Sequence, residues 1–559
     1  MSNILAGMAE NIKTQVDRAS LVQSEWIMKN FTHPKNDREK WSFKDHEFQI
    51  EIANLSESQR EMATIKCAQV GLTELQIRCM LAFLAQHSML KAAYLLPTKD
   101  MSRKFTQSRF NPAMETSPYI SSVVSKDTDN TNITRVGSCF LLMQGTQGAS
   151  SAISFDLDLI IADEVDFCDQ NVLKAYSSRL QHSKLKLKRN FSTPTLPGYG
   201  ISALYEESSK AVRMVKCYHC NSWSDLNFFA DVIIPGFSKP LSEFRVEDAE
   251  HPGIQTAYYK CPCCHKEITP ENLNDPLARE WVDTHPGHWR KGFKVNPWDV
   301  PVYNPLVDVI ESIREKPYQN WMNDRLGLPY ESSENSFMRS ILERNSILTP
   351  ASLSELMLGG YYGVYIGVDL GKVAHVTVGL SRPDGLHVIC AEKVHVKDLP
   401  EQHLGKYLAK LAIATRCRRM VVDAAPDYST AMYLHAVNMG YGAEYGSNTT
   451  LDIYFWDDKR GIVKIDRDAH FDDLSSWVNS SRVKFPKESK ELVAHFDVVK
   501  KVRVTSGTKE VERWVSTSKA DHFAHSVGYC FAAFSSLEER MSQVPLSVLP
   551  RIGGLRLKT

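Results

Sequence analysis

Two acids stand at the end of an apolar run. In LDLIIADE, residues 157–164, the run closes on Asp163 and Glu164. A buried strand that delivers two carboxylates at its C-terminal end can hold Mg²⁺ through the first and polarise an attacking water through the second. That chemistry needs a phosphate cradle, and a candidate lies about 90 residues upstream, a separation that suits a phosphate-loop sheet. In KCAQVGLTELQ, residues 66–76, Gly71 and Thr73 fall on the pattern G-x-x-x-x-G-K-[ST]. Leu72 occupies the lysine position, and Lys66 stands where the first glycine belongs. Such a loop works because consecutive backbone N–H groups point at phosphate oxygens from a helix N-terminus. Gly71 supplies the tight turn, Thr73 offers a hydroxyl to Mg²⁺, and Lys66 is the nearest cation for the phosphates. Taken singly, the loop also reads as a solvated lysine at a strand end, and the acids as a turn after a core strand.

Further residues extend this constellation. STPT, 192–195, ends the next strand, where hydroxyls can sense a terminal phosphate or merely form a turn. Arg179 and Arg189 are candidate charge-stabilising arginines. Trp41, Phe43 and Phe48 are candidates to stack on a base, with a core role the more ordinary expectation. The alternation KLKLK places Lys184, Lys186 and Lys188 on one face of an expected strand, as a phosphate-touching or solvated edge.

A second chemistry is written in cysteine. Cys217 and Cys220 form one C-x₂-C knuckle, and Cys261 and Cys264 form another 40 residues later. Two such knuckles close a four-thiolate tetrahedral site for Zn²⁺, structural because no coordination position stays open. Cys263 and His265 are alternates within the same run.

A third set is acidic. Asp369 lies in the apolar YIGVDLG, Asp423 ends the apolar MVVD, and Asp521 starts the helical pattern KADHFAHSVGYCF. Two strand acids and one helix acid form the layout of an RNase H-like fold. Three converging carboxylates repel one another unless cations join them, and two Mg²⁺ or Mn²⁺ ions about 3.5–4 Å apart would activate water and stabilise a leaving oxygen. Asp427 is a possible substitute ligand, His525 a possible assistant one turn after Asp521, and Lys372 a candidate to approach a scissile phosphate.

The elements that must position these groups follow from pattern. Apolar runs at 92–97, 139–145, 157–164 and 185–192 read as strands alternating with helical segments, which implies a parallel sheet with crossovers. Residues 212–270 interrupt that rhythm with the cysteine pairs. A helical stretch is expected over 305–328, and a polar linker over 331–360. A second domain opens with strand, turn and strand from 363, followed by a helix near 400–416, a strand at RRMVVD and a last helix near 517–537. The expected organisation is an N-terminal helical segment 1–40, a P-loop ATPase domain 41–330 with a zinc-ribbon-like insertion at 212–270, a linker 331–360, an RNase H-like α/β nuclease domain 361–540 and a basic tail 541–559.

Bulk properties set few limits. The 559 residues are 43% apolar, enough for sizeable cores, and 66 Lys+Arg balance 66 Asp+Glu, so net charge does not identify a partner. No apolar run approaches the ~18 residues of a membrane span, and no secretory apolar region opens the chain, so a cytosolic protein with reduced thiols is expected.

The set KCAQVGLTE, GTQGASSAISFDLDLIIADEVDF and STPT resembles the large terminase subunit of tailed bacteriophages. The resemblance covers nearly the whole chain after residue 40, with the nuclease portion at 363–535. In some branches of that family, including the lambda-like one, the catalytic lysine comes early in the loop, which implies that Lys66 takes this role. Glu74 departs from relatives that carry lysine there. The resemblance implies ATP-driven translocation of double-stranded viral DNA into a procapsid, and cutting of concatemers by a metal-dependent endonuclease. Catalysis is expected of Lys66, Glu164, Asp369, Asp423 and Asp521, and ATP binding of Lys66, Gly71, Leu72, Thr73 and Asp163. Mg²⁺ or Mn²⁺ is expected at both sites, Zn²⁺ at the thiolates. The implied partners are a small terminase subunit and the portal, with a pentameric ring on the portal in the host cytoplasm. Two other readings fit parts of the chain: a helicase–nuclease of repair or recombination, and a zinc-ribbon DNA-binding scaffold with an inactive ATPase.

Overall fold

The computed structural model describes residues 21–34, 36–126, 133–147, 156–332, 336–399, 402–425, 428–446, 452–487, 489–506, 509–517 and 520–542. The chain divides into two compact units, Met1–Glu331 with Arg503–Val511, and Ser332–Val502 with Glu512–Thr559. Both are α/β. Among the described residues no helix is long and apolar enough to cross a membrane.

The first unit is organised by an 11-stranded mixed sheet. Its centre runs Arg290–Val295, Glu61–Lys66, Leu187–Ser192, Leu159–Asp163, Lys91–Leu96 and Cys139–Gly145, all parallel neighbours. Every residue of Leu159–Asp163 is buried. A central parallel strand is covered on both faces, which is why this segment reads as one apolar run instead of an alternation. The strands expected at 92–97, 139–145 and 157–164 are present within a residue or two of those limits.

Two expectations in this unit need correction. The KLKLK alternation is not strand throughout: the strand begins at Leu187, Lys186 has φ 52°, and Leu185 is exposed. Only Lys188 is in the sheet, beside Glu61. The 305–328 stretch is also no continuous helix. Leu306–Glu311 is followed by a 3₁₀ turn at Ser312–Glu315, and Tyr318–Asn320 by a π-turn at Trp321–Arg325. Pro317 explains the break, since it lacks the N–H that helix continuation needs. The apolar side chains Val309, Ile310, Ile313 and Trp321 instead pack in a cluster with Cys217, Phe228, Tyr259 and Cys261. Around the cysteine pairs a three-stranded sheet joins Val232–Ile233, Tyr258–Lys260 and Glu267–Ile268.

The second unit holds a nine-stranded sheet. Val364–Asp369, Val373–Arg382 and Gly385–His395 form an antiparallel meander. Arg419–Asp423 runs parallel to the first of these, then Tyr441–Gly446 and Ile462–Asp466 continue in parallel. Successive strand residues face opposite sides of a sheet. Val364, Ile366 and Val368 accordingly pack with Leu408 and Leu411 of helix Leu404–Ala414, whereas Tyr365 packs with Phe523, Val527 and Phe534 of helix His522–Ser542. By the same alternation Asp369 shares the face of Tyr365. Asp423 shares the face of Val421, which also packs with the His522–Ser542 helix.

The described residues of 336–360 form regular elements. They carry helix Arg339–Asn345, strand Ser346–Leu348 and helix Leu353–Leu358, the last closed by a Ser352/Glu355 capping box. Phe337 and Leu342 lie in the second unit's core. Of the N-terminal helical segment, Gln23–Asn30 is helix. Residues 1–20, most of the basic tail, Asp427 and residues 148–155 of the GTQGASS stretch lie outside the described residues.

Candidate functional site

The first constellation assembles at the C-terminal ends of the parallel strands. Glu61–Lys66 leads into a five-residue turn and then helix Leu72–Gln86, 15 residues long. Gly71 sits at φ 74° as the helix N-cap, and no side chain caps that end. A side chain here would meet the left-handed backbone penalty and also the Gln49 amide at 3.0 Å. The loop is held from outside: Cys67 N donates to Val295 O, Ala68 N to Asp324 O, and the Gln49 amide to Val70 O. An uncapped helix N-terminus presents N–H groups and the positive end of the helix dipole to an anion.

Lys66 and Glu164 come from strands separated by one intervening strand, and their ends converge. Lys66 Nζ lies 3.0 Å from Glu164 Oε1. Burial lowers the lysine's affinity for its proton, but the charges of Glu164 and Asp163 outweigh it and raise the pKa above the ordinary lysine value. Asp163 accepts from Thr73 Oγ1 at 3.2 Å and from the Tyr94 hydroxyl at 2.8 Å. Its pKa is pushed up by burial and by Glu164. Asp163 Oδ1 is buried without a partner. A carboxylate oxygen beside a threonine hydroxyl, left open in this way, suits a divalent cation. Glu164 has φ 53°, a left-handed conformation that non-glycine residues reach only under local constraint. Lys66, Gly71, Leu72, Thr73, Glu164 and Arg109 line a cleft of ≈ 780 Å³.

One residue in this region, Asp166, carries no sequence signal of its own. Asp166, fully buried, accepts from Thr195 N at 2.7 Å, Thr195 Oγ1 at 2.8 Å and Ile201 N at 2.6 Å. Ser192 Oγ donates to Glu164 Oε2 at 3.2 Å. The STPT segment is thus tied at both ends to the acidic turn. The side chain of Glu74 bonds Arg78, whose guanidinium stacks 4.2 Å from the Trp41 ring.

Several candidates have other employment. Trp41, Phe43 and Phe48 are buried in the main core of the first unit. Arg189 is buried and donates to the carbonyls of Ser56 and Lys188, so it cannot serve as a charge-stabilising arginine without abandoning the core. Burial pulls its pKa down to about 9.

The four predicted thiolates come together. Cys217 Sγ lies 3.8 Å from Cys264 Sγ, Cys220 Sγ lies 3.7 Å from Cys261 Sγ, and all four sulfurs fall within 4.8 Å of one another. Sulfurs about 2.3 Å from a tetrahedral ion would be separated by about 3.8 Å, so the donor set fits Zn²⁺. The two knuckles share one backbone design. Asn221 N donates to Cys217 O and His265 N to Cys261 O, with Asn221 and His265 both at positive φ. Cys263 is exposed and accepts from Ser222 Oγ, and it stays outside the cluster.

In the second unit, close packing sets the positions of the acids. A Cβ on Gly367 would lie 2.0 Å from Ser526 O, and Thr377 Oγ1 meets Ser526 Oγ at 2.7 Å. The sheet and the start of helix His522–Ser542 therefore touch backbone to backbone beside Asp369. Val368 pairs with Val422, which sets Asp369 and Asp423 at adjacent strand ends. Burial pushes the Asp423 pKa up to about 6, with the Asp369 charge adding to it. Asp369 is likewise raised by burial, against the pull of His525 and His522. Asp521 behaves oppositely. Burial would raise it, but hydrogen bonds and charge from His525, with a bond from Ser516, hold it well below the usual range.

The acids do not stand alone. Asp369 Oδ2 lies 2.8 Å from His522 Nδ1, and Asp521 Oδ2 lies 3.1 Å from His525 Nε2. His375, directly opposite Asp369 in the hairpin, stacks on His522 with centroids 4.7 Å apart. Neither His375 nor His522 was singled out from sequence. The only available signal was that His375 breaks an apolar strand run. Lys372 is exposed on the hairpin turn.

Residues 36–281 match the family model of the phage terminase large subunit gpA, ATPase domain. No curated protein matches the sequence. Among solved structures, the HK97 bacteriophage large terminase is similar at 12% identity and TM-score 0.49, covering 91% of this chain and 98% of its own. The large terminase of a thermophilic bacteriophage, in complex with ATP-gamma-S, is similar at 9% identity and TM-score 0.31, covering 86% and 97%. The large terminase ATPase domain of Thermus phage P74-26 is similar at 12% identity and TM-score 0.31, covering 51% and 93%. The likeness to terminase large subunits read from the loop, the acids and STPT is borne out by the match over residues 36–281.

Proposed function

We propose, from the terminase ATPase family to which residues 36–281 belong, that this chain is the large subunit of a phage terminase. It uses ATP to drive double-stranded viral DNA into a procapsid and cuts concatemeric DNA with a metal-dependent endonuclease in its second unit. The observation that carries the motor half is the convergence, within that matched segment, of Lys66 on Glu164 and of Thr73 on Asp163.

In this reading the first unit is a P-loop ATPase. Backbone N–H groups at Gly71, Leu72 and Thr73 bind phosphate oxygens, and Lys66 neutralises their charge. Thr73 and Asp163 would hold Mg²⁺, which supplies charge neutralisation between the phosphates. Glu164 takes a proton from, and orients, the attacking water, and Ser192 fixes its second oxygen. Asp166 links the acidic turn to STPT, so a change at Glu164 is carried to the segment beyond. Cys217, Cys220, Cys261 and Cys264 would hold a structural Zn²⁺ that closes the insertion.

The second unit is read as an RNase H-like nuclease in which Asp369, Asp423 and Asp521 would hold catalytic Mg²⁺ or Mn²⁺. Those ions would activate water and stabilise the leaving oxygen. The antiparallel meander followed by parallel strands, with both strand acids on the face of the last helix, supports that reading. DNA contacts are expected on phosphates, since a motor must move any sequence. The partners are a small terminase subunit and a portal, on which the chain assembles as a pentameric ring in the host cytoplasm.

The test is packaging itself. The purified chain is combined with its small subunit, portal-bearing procapsids, concatemeric DNA and ATP. DNase-protected DNA that requires ATP hydrolysis is expected. Strand unwinding with no capsid dependence would replace this reading with a helicase–nuclease.

A further inference from the structure

Four histidines surround the acids of the second unit, and their hydrogen bonds sort them. His525 uses both ring nitrogens, Nε2 on Asp521 and Nδ1 on the Tyr445 hydroxyl at 3.2 Å. His495 accepts from Phe523 N at 3.0 Å through Nδ1 and turns Nε2 toward Glu491. These two are positioned by their neighbours. His375 is different. It is only 4% exposed, and its Nδ1 is buried with no hydrogen-bond partner. A buried, unsatisfied imidazole nitrogen is costly, and such groups point to a ligand.

One carboxylate oxygen of Asp369 and one ring nitrogen each from His375 and His522 lie within 4.8 Å of one another. Donor atoms this close to one another could share one ion. Resting on the reading of this unit as a metal-dependent nuclease, we infer that Asp369, His375 and His522 together bind one divalent ion through two imidazoles and one carboxylate. The site therefore takes a first-row transition dication in preference to Mg²⁺. Imidazole nitrogen suits first-row transition ions, whereas Mg²⁺ requires oxygen ligands and sheds water reluctantly. The Asp369–His522 bond serves as the metal-free resting contact of two ligands, and His375 is the third, supplied by the strand that pairs with Asp369.

The test uses the untagged full chain without nucleotide and Mn²⁺ as the probe. Electron spin echo modulation reads ¹⁴N coupling to bound Mn²⁺, and titration reads its affinity. Coupling to imidazole nitrogen is expected. His522→Ala and His375→Ala should each weaken binding at least about tenfold, and the double variant should lose the ¹⁴N signal. The His522 side chain is about half exposed, at 47%, so its variant tests the site without disturbing the core. Mn²⁺ bound with no ¹⁴N coupling, or with unchanged affinity in His522→Ala, would overturn the inference. Plasmid cutting is measured on the same material. Cutting without ¹⁴N coupling would leave the nuclease reading standing and remove the imidazole site. ¹⁴N coupling without cutting would support the imidazole site and count against the nuclease.

Discussion

Lys66 Nζ and Glu164 Oε1 lie 3.0 Å apart, 98 residues apart in sequence and delivered by two strands with Leu187–Ser192 between them. The lysine proposed to meet phosphate and the acid proposed to orient water hold each other in place. Each is also fixed from behind, Lys66 by its buried strand and Glu164 by Ser192. Preorganisation of this kind places charge before the reaction needs it.

Asp166 gives a pH dependence with a definite sign. Burial pushes its pKa up to about 7, against the three hydrogen bonds from Thr195 and Ile201 that pull it down. A folded-state pKa above the unfolded value means that this group's contribution to stability is full below about pH 4 and is lost as pH rises through about 7. Asp166→Asn removes that titration. Thermal melts from pH 4 to 7 should show wild type losing stability with rising pH relative to the variant. Parallel profiles would refute the assignment.

The thiolate cluster predicts a stoichiometry. One Zn²⁺ per chain is expected by metal analysis. Cys220→Ser should lose it and melt at least about 5 °C lower, since loss of a structural metal removes folding energy from a core that includes Trp298 and Trp321. Cys263→Ser should keep the metal, because that thiol lies outside the cluster.

Gly367→Ala probes how the acids proposed for DNA cutting are positioned. The added methyl would meet Ser526 O and Cys530 N, both backbone atoms of the last helix. Overpacking of this kind costs about 1–3 kcal/mol. The variant should lose DNA cutting at least tenfold while ATP hydrolysis stays within twofold of wild type. Unchanged cutting would show that helix and strand need not touch there.

Much of this was legible in the sequence where one residue type has one use. The strand within 157–164 stood out because a strand covered on both faces must be apolar throughout. The cysteine pairs stood out because C-x₂-C has few other purposes. What stayed hidden depends on tertiary partners. Arg189 looks like any strand arginine until Ser56 and Lys188 claim its donors. The break at Pro317 was readable, but the apolar residues around it still suggested one helix. His522 gave no signal and His375 only a break in an apolar run, because their meaning lies in a hairpin register and a helix start that meet only after folding.

The central claim is that ATP hydrolysis and DNA cutting occupy separate sites on one chain. Lys66→Ala and Asp369→Asn, measured side by side for phosphate release with DNA and for plasmid cutting in Mn²⁺, test it most directly. Lys66→Ala should lose hydrolysis at least about 100-fold and keep cutting, and Asp369→Asn should do the reverse. If either substitution abolished both activities in a folded protein, or neither activity appeared in wild type, the two-site account would be contradicted.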